Sequence, residues 1–204
     1  MKSYKSFSVL FSIFGHPLWM PFIGCLYYFY AIPSYLDTQL VMAKLLAVSI
    51  ITIFLPIVFL FIAKNLRLIS DYQVTKVKER RYVLMFFILL VLIILNRIID
   101  IYNYRTLFYF FSGILFSGII ALILSMFRIK ISLHTIGISG LVSFIVGLSL
   151  SFQENLTVSI LGFVIFLGCV ASARLYLKAH NLTEIFLGIV VGSITQIYFF
   201  SYWV

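Results

Sequence analysis

Three stretches of this 204-residue chain hold most of its charged and histidine side chains. The last of them shows what chemistry they allow. In "SARLYLKAHNLTE", residues 172–184, Arg174, His180 and Glu184 stand between two apolar runs. If a helix begins near Lys178, His180 and Glu184 lie at i and i+4, one above the other on one face. A carboxylate there holds one imidazole nitrogen and leaves the other as a nucleophile or base. Arg174 precedes His180 by six residues, about 240° around a continuous helix. It joins the pair only where the helix breaks, and the short gap between the apolar runs permits a break.

The second stretch is "FRIKISLHT", Phe127–Thr135, where Arg128, Lys130, Ser132 and His134 alternate with apolar residues at the start of an apolar run. Cations, a hydroxyl and the free N–H groups of a helix start form a cradle for a phosphate. The third is the polar connection Lys64–Arg81, which ends in "KVKERR" with Arg80 and Arg81. Lys64, Arg67, Lys76 and Lys178 read as anchors that snorkel to the membrane surface. His16 reads as a polar cap or packing residue. His134 and His180 each have a cation nearby, and ionisable groups at the margin of hydrocarbon are functional candidates by default.

Other chemistries fit less well. Two histidines and a glutamate can hold zinc, but the surrounding arginines oppose a dication, so no metal and no cofactor is expected. Nothing resembles a G-x-S-x-G serine nucleophile. The cations favour an anionic substrate. The net charge of +9 is spread between apolar runs and forms no basic arm, so nucleic acid is not the expected partner.

The scaffold that must position these groups follows from composition. Residues are 63% hydrophobic and only 10% charged, which leaves too little polar surface for a water-soluble domain of this size. Runs of nearly 20 apolar residues, enough to cross ~30 Å of hydrocarbon, recur along the chain. The expectation is an all-α polytopic transmembrane helix bundle of about six to seven spans, forming a single integral membrane domain over residues 1–204. Apolar segments run Ser8–Tyr30, Val41–Ala63, Tyr82–Ile99, Leu107–Phe127, Leu133–Ser151, Val158–Ala173 and Leu182–Tyr202. The first resembles a signal sequence but reads as an uncleaved span. Pro17, Pro21 and Pro56 imply kinks, or a partly re-entrant first segment. Gly188-x-x-x-Gly192 reads as ordinary close helix packing. Cys25 and Cys169 read as packing residues within spans.

Parity sorts the charges. With seven crossings, one face carries Lys2, Lys5, Lys64, Arg67, Lys76, Lys78, Arg80, Arg81, Arg128, Lys130, Arg174 and Lys178. The other carries Lys44, Arg97 and Arg105. The positive-inside rule makes the rich face cytoplasmic, although an anion site on that face would raise its tally for another reason. All three chemical stretches share the rich face.

These stretches resemble the three signature motifs of the type-2 phosphatidic acid phosphatase superfamily, metal-independent membrane enzymes acting on lipid phosphates. The third motif, S-R-x(5)-H-x(3)-D, is matched by Ala173-Arg174, His180 and Glu184. The second, P-S-G-H, is similar to "ISLH", keeping Ser132 and His134. The first, K-x(6)-R-P, has Arg80 or Arg81 but Gln73 or Val74 at the lysine position. The likeness covers about residues 64–200, with residues 1–63 as N-terminal helices. It implies a phosphatase-type core and a phosphohistidine mechanism. His180 would attack phosphorus, Glu184 would orient its ring, and His134 would act as general acid. Arg174, Arg80 and Ser132 would bind phosphate, with Lys130 replacing the missing lysine.

The expected function is hydrolysis of a lipid-linked phosphate monoester or diphosphate in a bacterial inner membrane, with membrane lipids as the surroundings. The alternatives are a catalytically degenerate relative that binds or transports lipid phosphates, and an ordinary transporter whose basic residues are topology anchors. Many bacterial members of the resembled family face outward while the charge tally points inward, and both orientations stay open.

Overall fold

The structure is a computed structural model that describes residues 2–31 and 37–203, with side chains from residue 6 onward. The side chains of Lys2 and Lys5, counted above on the basic face, lie outside the described residues. The expected all-α bundle is what forms. Its helices are α1 (Lys2–Phe14) and α2 (Trp19–Ala31), followed by α3 (Thr38–Asn65), α4 (Val77–Ile98), α5 (Arg105–Met126), α6 (Leu133–Phe152), α7 (Thr157–Tyr176) and α8 (Leu182–Phe200). Helices α3 to α8 are each long and apolar enough to cross a membrane. The pair α1–α2 passes the same test only as a unit bent by 57°. The chain is a multi-pass integral membrane protein.

The bend sits where "GHP" places a glycine and a proline on either side of His16. Pro17 has no N–H to continue the ladder and disfavours helical backbone at His16. The His16 N–H turns back three residues to Ile13. Gly15 lets this corner press on α7, since a Cβ there would lie 2.6 Å from Val170 Cγ2. Pro21 falls within the first turn of α2, where a missing N–H costs little. Pro56 is met differently. The preceding turn widens into a π-helical segment, Ile50–Phe54, in which the Leu55 N–H reaches back five residues to Ile50. The wider turn accommodates the proline ring and the carbonyl that loses its donor.

Two boundaries differ from expectation. The helix that was expected to start at Tyr82 starts at Val77, so Lys78, Glu79, Arg80 and Arg81 are helical and the polar connection shrinks to residues 66–76. A carboxylate in the first turn suits the positive end of a helix. Glu79 accepts hydrogen bonds from the N–H and hydroxyl of Ser70 and pairs with Lys76 at 3.2 Å. Helix α7 runs on past Ala173 to Tyr176 and so carries Arg174 in its last turn.

Helix α6 sits at the centre, against α2, α5, α7 and α8. It meets α8 across glycines, as the Gly188-x-x-x-Gly192 spacing suggested. A Cβ on Gly188 would lie 2.7 Å from the Ser132 carbonyl, and one on Gly192 would collide with the Ile136 carbonyl and Ser139 Oγ. Away from the basic end, Val91, Ile94, Leu107, Phe111, Ile138, Leu141, Ile145 and Leu148 are buried together, with Phe110 stacked on Phe144 at 4.0 Å. Large apolar side chains such as Phe54, Phe61, Leu89, Ile165 and Ile197 point outward instead. That inversion is stable because the solvent on those faces is hydrocarbon. Both cysteines are free thiols. At the end remote from the site, Lys44 donates to the Ile98 carbonyl at 2.6 Å and lies over the Tyr104 ring.

Candidate functional site

Helix ends build the site. Helix α7 stops after Tyr176, and Lys178 adopts the left-handed conformation (φ 51°), a common device for ending a helix. The N–H groups of Ala179 and His180 then fold back onto the Arg174 carbonyl, at 3.1 and 3.4 Å. Helix α8 begins at Leu182, with the Asn181 side chain accepting from the Glu184 N–H at 2.8 Å. His180 therefore precedes the helix and does not lie on it: the helix starts at Leu182, as the apolar segment Leu182–Tyr202 has it, and the earlier start that would put both groups on one helical face does not occur. The pair still meets, because His180 at the entrance and Glu184 in the first turn close over the cap. His180 Nδ1 lies 2.5 Å from Glu184 Oε2.

A carboxylate only accepts, so Nδ1 carries the proton in the neutral ring and Nε2 keeps a lone pair. Burial, then the charges of Arg80, Arg174 and Lys130, pushes the His180 imidazole well below its ordinary value of 6.5. The ring is neutral near pH 7, which is the state a nucleophile requires.

Helix α6 starts beside it. The Ser132 N–H donates to the Glu184 carbonyl at 3.1 Å, joining the two helix entrances directly. His134, in the first turn of α6, has Nε2 3.2 Å from the Ser12 carbonyl of α1. Arg174 donates from Nη1 to Ser12 Oγ at 2.8 Å. Only 7% of Arg174 is exposed, and its Nε is buried without a hydrogen-bond partner among the described residues. Arg80, 8% exposed, donates from Nε to the Val74 carbonyl at 3.0 Å and from Nη1 to the Ile131 carbonyl at 2.8 Å.

Arg80, His134, Arg174 and His180 all line one cavity of about 500 Å³, and Gln73 and Val74, at the vacant lysine position, line it too. Its other walls are mostly apolar, from Ile53 and Phe59 of α3 across Phe87 and Ile114 to Gln196 of α8. Cations gather at one end and hydrocarbon surface extends from it. An unpaired buried guanidinium is costly, and an anion with several acceptor oxygens is the ligand that would relieve it.

Not every expected residue joins this group. The Ser132 hydroxyl is fully buried and caps α6, accepting from the Thr135 N–H at 3.4 Å. Lys130 donates to the Ala179 carbonyl at 2.6 Å and borders an outer recess with His180 and Glu184. Burial first, then Arg80, lowers its ammonium below the usual lysine range. Arg81, the other first-motif candidate, turns away to the last carbonyls of α5, Ser125 at 3.0 Å and Met126 at 3.5 Å.

Two residues on the cavity were missed in the sequence. His16 caps the entrance to α2 as expected, its Nδ1 accepting from the Leu18 N–H at 3.4 Å. It also stands edge-on to His134 with ring centroids 5.3 Å apart. Ser12 carried no signal by type, but its place one turn before "GHP" marks a carbonyl that a broken helix leaves open. No protein-family model, curated protein or solved structure matches this chain.

Proposed function

We propose that this chain is an integral membrane phosphatase, a divergent relative of the type-2 phosphatidic acid phosphatases, acting in a bacterial inner membrane. It takes phosphate from a lipid-linked monoester or diphosphate through a phosphohistidine intermediate. One observation carries the reading. Arg174 is buried with its Nε unpaired among the described residues, in a cavity it shares with Arg80, His134 and a His180 imidazole held by Glu184.

In the first step Nε2 of His180 attacks phosphorus and the bond to the lipid oxygen breaks. Glu184 holds the Nδ1 proton and stabilises the positive ring that forms. His134 gives a proton to the departing oxygen. His134 acts from its imidazolium form: Nε2–H donates to the Ser12 carbonyl, the Nδ1 proton is the one given up, and the ring is left neutral with its proton on Nε2. Water then attacks phosphorus while His134 takes its proton, the phosphorus–nitrogen bond breaks, and inorganic phosphate departs to leave His180 neutral. Arg174 and Arg80 balance charge on the equatorial oxygens. The apolar walls suit the hydrocarbon chain, and about 500 Å³ lies within the ~300–1,000 Å³ of ordinary ligand sites.

The purified protein, with chelator present, is incubated with phosphatidic acid or an isoprenyl diphosphate. Phosphate release that His180→Ala abolishes is the expected result. Binding without turnover favours the second reading, a non-catalytic lipid-phosphate binder. That alternative draws on Ser132 and Lys130, whose polar atoms are engaged elsewhere and leave fewer groups for the transition state. Neither binding nor release would leave an ordinary transporter.

A further inference from the structure

The N-terminal helix enters the site through one residue. Where a helix continues, the Ser12 carbonyl would accept the N–H of His16. At the "GHP" break that N–H goes to Ile13, and the Ser12 carbonyl is freed from the ladder. His134 Nε2 approaches it at 3.2 Å. The Ser12 hydroxyl, on the same residue, accepts from Arg174 Nη1 at 2.8 Å. The two side chains that Ser12 meets belong to different helices, one at the start of α6 and one at the end of α7.

Each contact leaves something specific open. A guanidinium offers two forks, one through both terminal nitrogens and one through Nε and Nη2. With Nη1 taken by Ser12, the fork through Nε remains, and Nε has no partner among the described residues. For His134, a carbonyl acceptor at Nε2 fixes the tautomer and ring plane, as Glu184 does for His180. The corner is wedged in place from both sides. Gly15 lies against Val170 of α7, and Pro17 lies against Gly137 of α6, where an added Cβ would be 3.3 Å from the proline Cα.

We propose that Ser12 is a positioning residue for the anion site. Its hydroxyl aims Arg174 and its carbonyl aims His134, so the broken first helix is a working part of the site as well as a membrane anchor. The inference rests on the anion-site reading above, and it adds a specific division of labour. The hydroxyl acts on phosphate binding, and the carbonyl acts on proton transfer.

The full-length protein in detergent is titrated with inorganic phosphate and assayed on phosphatidic acid, with melting temperature followed in parallel. Ser12→Ala keeps the carbonyl and removes the hydroxyl. Phosphate affinity should fall about tenfold, with KM rising and kcat within about twofold of wild type. Ser12→Thr should restore affinity. Pro17→Ala lets the His16 N–H return to the Ser12 carbonyl, so kcat should fall while phosphate affinity holds. Unchanged binding in Ser12→Ala, or unchanged kcat in Pro17→Ala, overturns the proposal while the anion site stands. A weakened Ser12→Ala with a lowered melting temperature and no rescue by threonine makes Ser12 merely structural and also overturns it. A wild-type protein that neither binds phosphate nor releases it removes the anion site and this inference together.

Discussion

Replacing Glu184 tests the centre of the mechanism, because its carboxylate is in contact with the candidate nucleophile. His180 Nδ1 and the Glu184 carboxylate are in direct contact, and a hydrogen bond to a charged acceptor is charge-assisted. Such a bond contributes about 1.5–3 kcal/mol net. At ~1.4 kcal/mol per decade, complete loss of that contribution in the transition state lowers the rate roughly 10- to 150-fold. Glutamine keeps an acceptor oxygen and loses the charge, so Glu184→Gln belongs at the low end, about tenfold. Alanine leaves Nδ1–H without its acceptor and belongs near 100-fold, moderated because 18% of the Glu184 side chain is open to water. The assay is phosphate release from phosphatidic acid in detergent micelles with chelator present, with wild type and His180→Ala as brackets. The orienting role is refuted if Glu184→Ala turns over at the wild-type rate while His180→Ala is dead. Wild-type rates in both would refute the site itself.

Further outcomes follow from the same geometry. Arg174→Lys keeps a charge and loses the planar fork, so turnover should drop about 100-fold, measured as kcat/KM on the same substrate. The lowered pKa of His180 makes stability depend on pH. Below about pH 6.5 the unfolded chain takes up a proton that the folded ring resists, so the fold loses stability as pH falls. The melting temperature of wild type should therefore drop between pH 7.5 and 5 by more than that of His180→Asn. Lys130→Ala removes one of the cations acting on His180, so an acid limb set by this ring should move to higher pH in the pH–rate profile. Gly192→Ala forces a methyl onto the Ile136 carbonyl and Ser139 Oγ and should cost about 1–3 kcal/mol, read as a lower melting temperature with weaker phosphate binding. Gly162→Ala, with nothing within 4 Å, should be neutral in both measurements.

Much of the scaffold was legible because hydrocarbon is an unforgiving solvent. Each long apolar run had to become a helix that satisfies its own backbone, and α5, α6 and α8 lie close to where their sequences placed them. Ser132 before an apolar run marked the start of α6, since a short hydroxyl side chain caps orphan N–H groups. Boundaries failed where charge was mistaken for loop. "KERR" is helical because Arg80 and Arg81 reach carbonyls of other segments and Glu79 suits the first turn. Within the site, the His180–Glu184 contact was readable because four residues separate the two groups. The choice of Arg80 over Arg81 was not, since adjacent residues on a helix point about 100° apart and only packing decides which faces inward.

The amino-acid order alone determined that this protein lives in a membrane, that its charged stretches lie at helix ends on one side, and that prolines distort the first segment. Those are local consequences of side-chain solvation and backbone chemistry. Tertiary structure decided which loose ends meet. It set Ser12 between His134 and Arg174, across 122 and 162 residues of chain. It engaged Ser132 and Lys130 elsewhere and left the Arg174 Nε without a partner among the described residues. No spacing rule reaches that far, because contacts between helices depend on how glycine-lined surfaces let backbones approach, and that is a property of the packed bundle.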